Sequence, residues 1–524
     1  MVFTSTFPPV VIPESTVFDY LFGGLSAPDR ERVALIDAAS GEQTTYGDLV
    51  TQIELVAGAL AARGVGPGVV IALHAPNSAA FASVFHGILR AGATATTINV
   101  LYTPGEIAGQ LSDSKARVLF TVSPLLEQAL EAAASAGLAR ESIVVIDGAA
   151  GFRSLADLLG EGNAAPSIEI DPAETVAVLP YSSGTTARPK GVILTHRNLV
   201  ANVAQSQLPI ATNENDRILA ILPFFHIYGM TVLLNLAFST RSALVTMPKF
   251  ELTEFLRSIQ DHRITWVFIA PPVAVALAKH PLIDDFDLSS LSVVFSGAAP
   301  LDGALGAAVA TRLGCLVRQG YGMSEMSPVS HAIPFDRDDI PLSSVGLTLP
   351  NMECKLIDPQ TGDEIEMPAT GVSEPGELLC RGPNVMRGYL GNEEATAQTI
   401  DPDGFIHTGD IATVSAHGYV TIVDRLKELI KYKGYQVAPA ELEALLLTHE
   451  LIADAAVIGV NDAEGEEIPK AFVVLQPDAE LSEDEVIAFV AGRVAPYKKV
   501  REVEFIETVP KSASGKILRK DLRT

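Results

Sequence analysis

Apolar residues at Leu49, Ile53, Val56 and Leu60 recur at helical spacing, and Gly64 closes that run before the strand-like segment Val69 to Leu73. Further short β-like runs follow at Val118 to Val122, Ile143 to Ile146, Val176 to Leu179, Ala243 to Thr246, Trp266 to Ala270 and Val293 to Ser296. Alternation of this kind predicts βα units around largely parallel sheets, whose ligands gather at strand ends. The polar insert Asp336 to Pro341 begins a more β-rich section that reaches Asp424. Beyond it the texture changes. Lys427 to Lys433 is rich in lysine, Gly434 breaks it, and Pro439 opens a helix with Leu442, Leu445 and Leu446 on one face. Strands at Ala455 to Val460 and Ala471 to Leu475, a helix over Glu483 to Val494 and a strand at Val503 to Phe505 complete a small α+β unit. The expected fold is α/β: a large N-terminal domain of βα-type subdomains plus a β-rich subdomain over 1–424, then a small α+β domain over 425–524.

With 48% hydrophobic and 19% charged residues the chain is globular rather than disordered. The formal net charge of −26 argues against generic binding to nucleic acid or anionic membrane. Arg493 to Thr524 reverses the sign locally, with nine Lys and Arg against four Asp and Glu, and suits a contact with an anionic ligand. Cys315, Cys354 and Cys380 are widely spaced and odd in number, which fits buried structural thiols in a reducing compartment. The N-terminal segment has no basic region before an apolar one, so a cytoplasmic protein is expected. From Ile218 to Thr240 no residue is charged, yet Pro223, His226, Gly229 and Asn235 interrupt the stretch. A strand ending near Pro223 and a buried helix are expected there, not a membrane span.

Residues 181 to 191 read Tyr-Ser-Ser-Gly-Thr-Thr-Ala-Arg-Pro-Lys-Gly. Gly184 lets backbone approach an anion, Ser182, Ser183, Thr185 and Thr186 donate hydroxyl hydrogen bonds, and Lys190 adds a compact charge, so the loop is suited to phosphate. It is not a Walker A loop, because Pro189 precedes the lysine and Gly191 follows it. Gln319-Gly320-Tyr321-Gly322-Met323-Ser324-Glu325 sets an aromatic ring among glycines, then a hydroxyl and a carboxylate of the kind Mg²⁺ accepts. Thr408-Gly409-Asp410 and Asp424-Arg425 supply a carboxylate for ribose hydroxyls and a guanidinium for the same sugar or its phosphate. Pro510 to Ile517 places Lys516 on a loop containing glycine.

Taken in order, these motifs resemble the adenylate-forming superfamily of acyl-CoA synthetases, luciferases and adenylation domains, over essentially the whole chain. Asp424 to Glu443, Pro223-Phe-Phe-His-Ile-Tyr-Gly229 and Gly297-Ala-Ala-Pro300 are most similar to bacterial 4-coumarate and fatty acid CoA ligases. The resemblance implies ATP, Mg²⁺ and coenzyme A, an acyl-adenylate made from a carboxylic acid, and transfer of the acyl group to CoA. It implies that Ser182 to Thr186 and Lys190 hold phosphates, that Glu325 holds Mg²⁺ and that Tyr321 faces adenine. Gln319, Gly320 and Lys249 are carried over as further cofactor contacts. Asp410 and Arg425 would take the ribose, with Ser324 near the reacting phosphate and Lys516 stabilising charge during adenylation. A hinge at Lys427 would then rotate the small domain, withdrawing Lys516 and bringing up Lys431, Lys433, Gly434 and Gln436. His226 would line the pantetheine tunnel, and Tyr228, Met230, Phe295, Ala298, Gly322 and Val329 the acid pocket.

Two departures stand out. Ala187 replaces a usual glycine in the phosphate loop, and Phe295 occupies a place where plant coumarate ligases commonly carry lysine. A cinnamate- or 4-coumarate-type acid is expected, with a medium- or long-chain fatty acid, or loading of a carrier protein, as alternatives. A luciferase-like oxygenase fits less well because nothing marks an oxygen-reactive pocket, and a non-catalytic nucleotide-binding protein fits less well because Lys190, Glu325, Lys431 and Lys516 are all present. The expected partners are small molecules, with no nucleic acid and no integral membrane association, and the protein is expected as a monomer or weak homodimer. No zinc-type, haem, flavin or nucleic-acid motif is visible.

Overall fold

Two large sheets, a three-stranded sheet and a two-stranded hairpin organise the computed structural model, which describes residues 2–182, 189–432, 435–462, 467–512 and 515–523. In the larger sheet, of 15 strands, six neighbours run parallel in the spatial order Val33–Asp37, Ala243–Thr246, Arg217–Ala220, Trp266–Ile269, Val293–Ser296 and Leu316–Gly322. At Leu316–Gly322 the sheet changes character. Its other neighbour, Val329–Ala332, is antiparallel, and antiparallel pairing continues through Gly346–Thr348, Tyr419–Arg425, Ile406–Val414, Gly376–Arg381 and Glu353–Ile357. This one strand therefore belongs to both the βα region and the β-rich region, and its C-terminal end carries the Gln319 to Glu325 motif.

The second sheet has eight strands, including Gly388–Tyr389, Lys190–Thr195, Val176–Val178, Thr94–Thr97, Val70–His74, Val118–Thr121 and Ile143–Val145 in that order. Thr94–Thr97 has no apolar run to announce it. Its threonines are β-branched and suit a strand, and their hydroxyls are spent on main chain: Thr94 on Val176 O at 2.8 Å, Thr96 on Leu179 O at 2.8 Å and Thr97 on Phe225 O at 2.6 Å. The last bond ties this sheet to the uncharged stretch, just beyond the strand Arg217–Ala220 of the other sheet.

That stretch folds much as its interruptions predict. The strand Arg217–Ala220 ends just before Pro223, and a wide helical turn over Gly229–Asn235 runs into the helix Leu236–Thr240. Among the described residues no helix is long and apolar enough to cross a membrane. All three cysteines are buried and free. The sequence separation of Cys354 and Cys380 hides the fact that they are cross-strand partners, with sulfurs 3.5 Å apart.

The small α+β domain has its own core, drawn from Ile430, Leu442, Leu446, Ile452, Val457, Val473, Val486, Val490 and Val503 among others. Leu442 and Leu446 project from the helix Pro439–Leu447 and are fully buried, each contributing about 1.5–3 kcal/mol by leaving water. Three strands, Ile452–Asn461, Glu467–Leu475 and Glu502–Phe505, form its sheet. Arg519 donates to both oxygens of Glu443 at 2.7 and 2.8 Å, and Glu443 also accepts from Val457 N at 2.8 Å.

Candidate active site

The phosphate loop connects the strands Tyr181–Ser182 and Lys190–Thr195, an antiparallel pair in which Ser182 faces Lys190. Ser183, Gly184, Thr185, Thr186 and Ala187 lie outside the described residues. The Ser182 hydroxyl is buried without a hydrogen-bond partner among the described residues, while Tyr181 donates to Asp113 Oδ2 at 2.6 Å and anchors the start of the hairpin. Lys190 Nζ stands 4.1 Å from the ring centroid of Tyr389, whose hydroxyl donates to Glu325 Oε1 at 2.8 Å. Strand pairing brings Tyr389 there. It lies opposite Val192, and Leu390 N donates to Gly191 O at 2.8 Å.

Glu325 sits in the turn Ser324–Met326, buried, with its position set by amides from distant segments. Asn384 Nδ2 donates to Met326 O at 2.8 Å; Asn202 grips Val329 through both its N–H, at 3.0 Å, and its carbonyl, at 2.7 Å. Asn202 comes from the helix His196–Ile210, which directly follows the lysine-bearing strand. A single continuous piece of chain thus presents Lys190 and supports the turn that presents Glu325.

On the adjacent side, Tyr321 donates to Asp410 Oδ2 at 2.5 Å, and Asp410 is the cross-strand partner of Arg425, whose Nε lies 3.7 Å from Oδ1. Burial raises the Asp410 pKa, and Arg425, the Tyr321 hydroxyl and Lys516 oppose that shift. Gly320 and Gly322 form the floor beside the tyrosine. A Cβ on Gly322 would meet Pro328 O at 2.2 Å, so no side chain fits there. Gln319 does not enter this pocket. Its side-chain amide bonds to Leu301 N at 3.2 Å and to the carbonyls of Leu301 and Leu342, so that side chain braces neighbouring loops and leaves only the main chain for a cofactor contact.

Lys516 reaches into the same pocket from the small domain, beside Ser324 and His226. Burial and the charge of Arg425 lower its pKa to about 8, partly offset by Asp410 and Glu325. His226 is buried and its pKa is lowered to about 4, first by desolvation and then by Lys516. Its Nδ1 accepts from Tyr228 N at 3.3 Å, which leaves the remaining proton of the neutral ring on Nε2. Asn77 holds the approach to this histidine: it accepts from Phe224 N at 2.7 Å and donates to Ala220 O and Leu222 O at 3.0 and 2.9 Å.

Tyr228, Phe295, Ala298 and Val329 line the apolar end of the pocket, whereas Met230 is buried in the core and is not among the lining residues. The Tyr228 ring lies flat against Gly297, where an added Cβ would come within 2.8 Å of it. Its hydroxyl is buried and has no hydrogen-bond partner among the described residues. Phe295 packs on Phe268 at 5.4 Å between ring centroids.

The other expected residues stand apart from this pocket. Lys249 is exposed beyond the strand Ala243–Thr246, and Lys427 is exposed after the strand Tyr419–Arg425. Lys431 is exposed on the hairpin strand Ile430–Tyr432, with its N–H bonded to Glu467 Oε2 at 2.7 Å. Lys433, Gly434 and the Gln436 side chain lie outside what is described. Tyr389, Asn77 and Asn202 were not singled out in the sequence. Only the proximity of Gly388-Tyr389 to a β-rich stretch hinted at a strand, and nothing local hinted at its partners. Among the described residues no cluster of three or more His, Cys, Asp or Glu side chains could hold a metal.

The strand pair that flanks the expected phosphate loop, a buried carboxylate, an aromatic–carboxylate–guanidinium wall and a lysine from the small domain surround one apolar-ended pocket, the candidate site. The family profile described as AMP-binding enzyme matches residues 26–390, and that of the AMP-binding enzyme C-terminal domain matches 441–516. The chain belongs to the AMP-binding enzyme family. It is 43% identical to 4-coumarate–CoA ligase 5 of Oryza sativa subsp. japonica, covering 100% of this chain and 97% of the relative. The anthranilate CoA ligase AuaEII in complex with anthranoyl-AMP superposes with a TM-score of 0.88 at 27% identity, over 98% of this chain and 97% of its own. ATP-bound MatB from Rhodopseudomonas palustris gives a TM-score of 0.87 at 28% identity, over 98% of both chains. The apo form of MatB, at the same identity and coverage, gives 0.78.

Proposed function

We propose that the protein is an AMP-forming acid–CoA ligase acting on a hydrophobic aromatic carboxylic acid of the cinnamate or 4-coumarate type. The observation that carries this reading is the position of Lys516: a cation from the small domain lines the pocket of Tyr228, Phe295 and Val329 and feels the charges of Asp410 and Glu325. An acid seated in that pocket points its carboxylate at the lysine, where the α-phosphate of ATP would also lie. The rice relative and the family membership support the ligase class, and the aromatic wall supports the acid.

In the first half-reaction a carboxylate oxygen forms a bond to the α-phosphorus as the bond to pyrophosphate breaks. Lys190 and the hydroxyls of the hairpin hold the departing phosphates, Lys516 neutralises charge on the acid and α-phosphate, and Asp410 and Arg425 hold the ribose against Tyr321. Glu325 offers one buried carboxylate. This fits a Mg²⁺ that arrives on the nucleotide phosphates and keeps most of its own water, rather than an all-protein cage. When bound, Mg²⁺ would neutralise phosphate charge there.

In the second half-reaction the CoA sulfur attacks the acyl carbon and AMP leaves. Lys431 stands in the open outside the pocket, and Lys427 is exposed between the two cores, which suits a hinge between 1–424 and 425–524 that exchanges Lys516 for the Lys431 hairpin. The higher score against ATP-bound than against apo MatB supports the present orientation as the adenylating one. Pyrophosphate release with and without CoA, combined with mass spectrometry of the products, tests the assignment. Cinnamate-dependent pyrophosphate release followed by cinnamoyl-CoA only when CoA is added is the expected result; transfer to no thiol, or no adenylate at all, would overturn it.

A further inference from the structure

The helix Pro439–Leu447 of the small domain is gripped at both ends by the large one. At its N-terminus no side chain of the small domain caps it, and the exposed helix N–H of Ala440 instead donates to Asp424 Oδ2 at 2.9 Å. Asp424 belongs to the strand Tyr419–Arg425 of the large sheet, is buried, and uses its other oxygen on Arg425 N at 2.6 Å. At the C-terminus the ammonium of Lys279 donates to Leu447 O at 2.7 Å, Ile452 O at 3.3 Å and His449 O at 3.4 Å. A lysine ammonium has three donors, and here three carbonyls of the other domain receive them.

The signs match the helix. Its N-terminal end carries partial positive charge and meets a carboxylate, while its C-terminal end carries partial negative charge and meets an ammonium. Lys279 also terminates the helix Pro271–Lys279, whose beginning contacts the loop that delivers Lys516. A Cβ on Gly515 would lie 2.9 Å from Ala270 Cβ and 3.8 Å from Pro272 Cδ. The same short helix therefore touches the small domain at the catalytic loop and, at its other end, at the helix Pro439–Leu447.

We propose that Asp424 and Lys279 form a two-ended latch on this helix that holds the small domain in the orientation inserting Lys516, making Lys279 a positioning residue for adenylation alone. The inference rests on the two-orientation reading given above. Lys279 is on the large domain, ahead of the hinge, and its three acceptors lie after it, so rotation about Lys427 parts them. The latch adds to the stability of one orientation only, and removing it shifts the population away from that orientation without touching any group at the reacting atoms.

The test is Lys279→Met, which keeps the stem and removes the charge, with Lys279→Arg as the conservative variant. Two rates are measured in the full-length protein: ATP- and cinnamate-dependent pyrophosphate release, and cinnamoyl-CoA formation from supplied cinnamoyl-adenylate. Lys279→Met is expected to lower kcat for adenylation about tenfold, with KM for both substrates unchanged and the thioester step equal or faster. Lys279→Arg should recover most of the loss. Equal loss in both half-reactions, or no loss in either, would overturn the latch. Lys516→Ala run beside it separates the two ideas. If it suppresses adenylation alone while Lys279→Met changes nothing, the two orientations stand and only the latch fails; if it suppresses both steps equally, the rotation itself fails.

Discussion

Tyr389 joins the two opposite charges at the phosphate hairpin: its ring lies 4.1 Å below the Lys190 ammonium and its hydroxyl donates at 2.8 Å to Glu325. One side chain thus fixes the spacing between the cation proposed for the departing phosphates and the carboxylate proposed for their metal. Burial and the neighbouring Glu325 raise its pKa, so it remains a donor throughout the working range. Tyr389→Phe should keep the ring contact and lose the bond to Glu325, lowering kcat/KM for ATP about tenfold and raising the Mg²⁺ needed for half-maximal pyrophosphate release. Tyr389→Leu, which also removes the ring face, should cost several-fold more. Unchanged Mg²⁺ dependence in the phenylalanine variant would separate Tyr389 from the Glu325 role.

The pH profile of adenylation should be set by Lys516. In the proposed mechanism its ammonium is needed for the chemistry, and with a pKa of about 8 in the docked loop that form is lost as pH rises through 8. Docking itself responds in the opposite sense. Between about 8 and the ordinary value of 10.5 the docked state binds fewer protons than the undocked one, so docking is favoured by rising pH while the required charge disappears. Pyrophosphate release at low ATP should therefore fall above pH 8, and Lys516→Arg, slower but permanently charged, should show no such limb. His226, lowered to about 4, should add no inflection between pH 5 and 7. A limb near 6.5 that vanishes in His226→Ala would contradict its neutral state.

For the acid, Phe295 removes the charged hydrogen bond that a lysine could give a ring hydroxyl, a difference of roughly 1.5–3 kcal/mol. The buried, unpartnered Tyr228 hydroxyl can supply only a neutral one. Cinnamate should accordingly rival or exceed 4-coumarate in kcat/KM, and Tyr228→Phe should lower 4-coumarate a few-fold while leaving cinnamate unchanged. A hundredfold preference for 4-coumarate in the wild-type enzyme would place the reader of the ring hydroxyl elsewhere.

Arg519→Ala should unfold the small domain before the large one. It strands the Glu443 carboxylate among the apolar residues of the second core at a cost of about 3–5 kcal/mol, since among the described residues only Val457 N then bonds to it. Scanning calorimetry should show a new, earlier transition. The pair Arg519→Met with Glu443→Leu should recover much of the loss, because the uncompensated charge is gone.

Elements with a sustained period were legible in the sequence, and Leu49 to Leu60 and Pro439 to Leu446 fall on the helices Tyr46–Ala61 and Pro439–Leu447. Thr94–Thr97 was not, because its polar side chains satisfy themselves on main chain that is distant in sequence. The pocket residues Tyr228, Phe295, Val329 and Lys516 could be named because their motifs resemble a family, not because spacing placed them together. Tyr389 escaped for the converse reason: its role depends on pairing with Val192 and on a turn around Glu325, and neither leaves a local mark. Gln319 lay inside a recognised motif, yet its amide faces away, toward the backbone of Leu301 and Leu342.

The grip of Asn202 on Val329 spans 127 positions of chain, that of Tyr389 on Glu325 spans 64, and that of Tyr321 on Asp410 spans 89. Each bond closes only when segments far apart in sequence have come together, so the nucleotide site exists only in the assembled large domain. Nucleotide can then bind only chains that have finished, and binding draws the folding equilibrium toward them. In a cell with millimolar ATP, the substrate would also act as the agent that commits a newly made chain to its completed form.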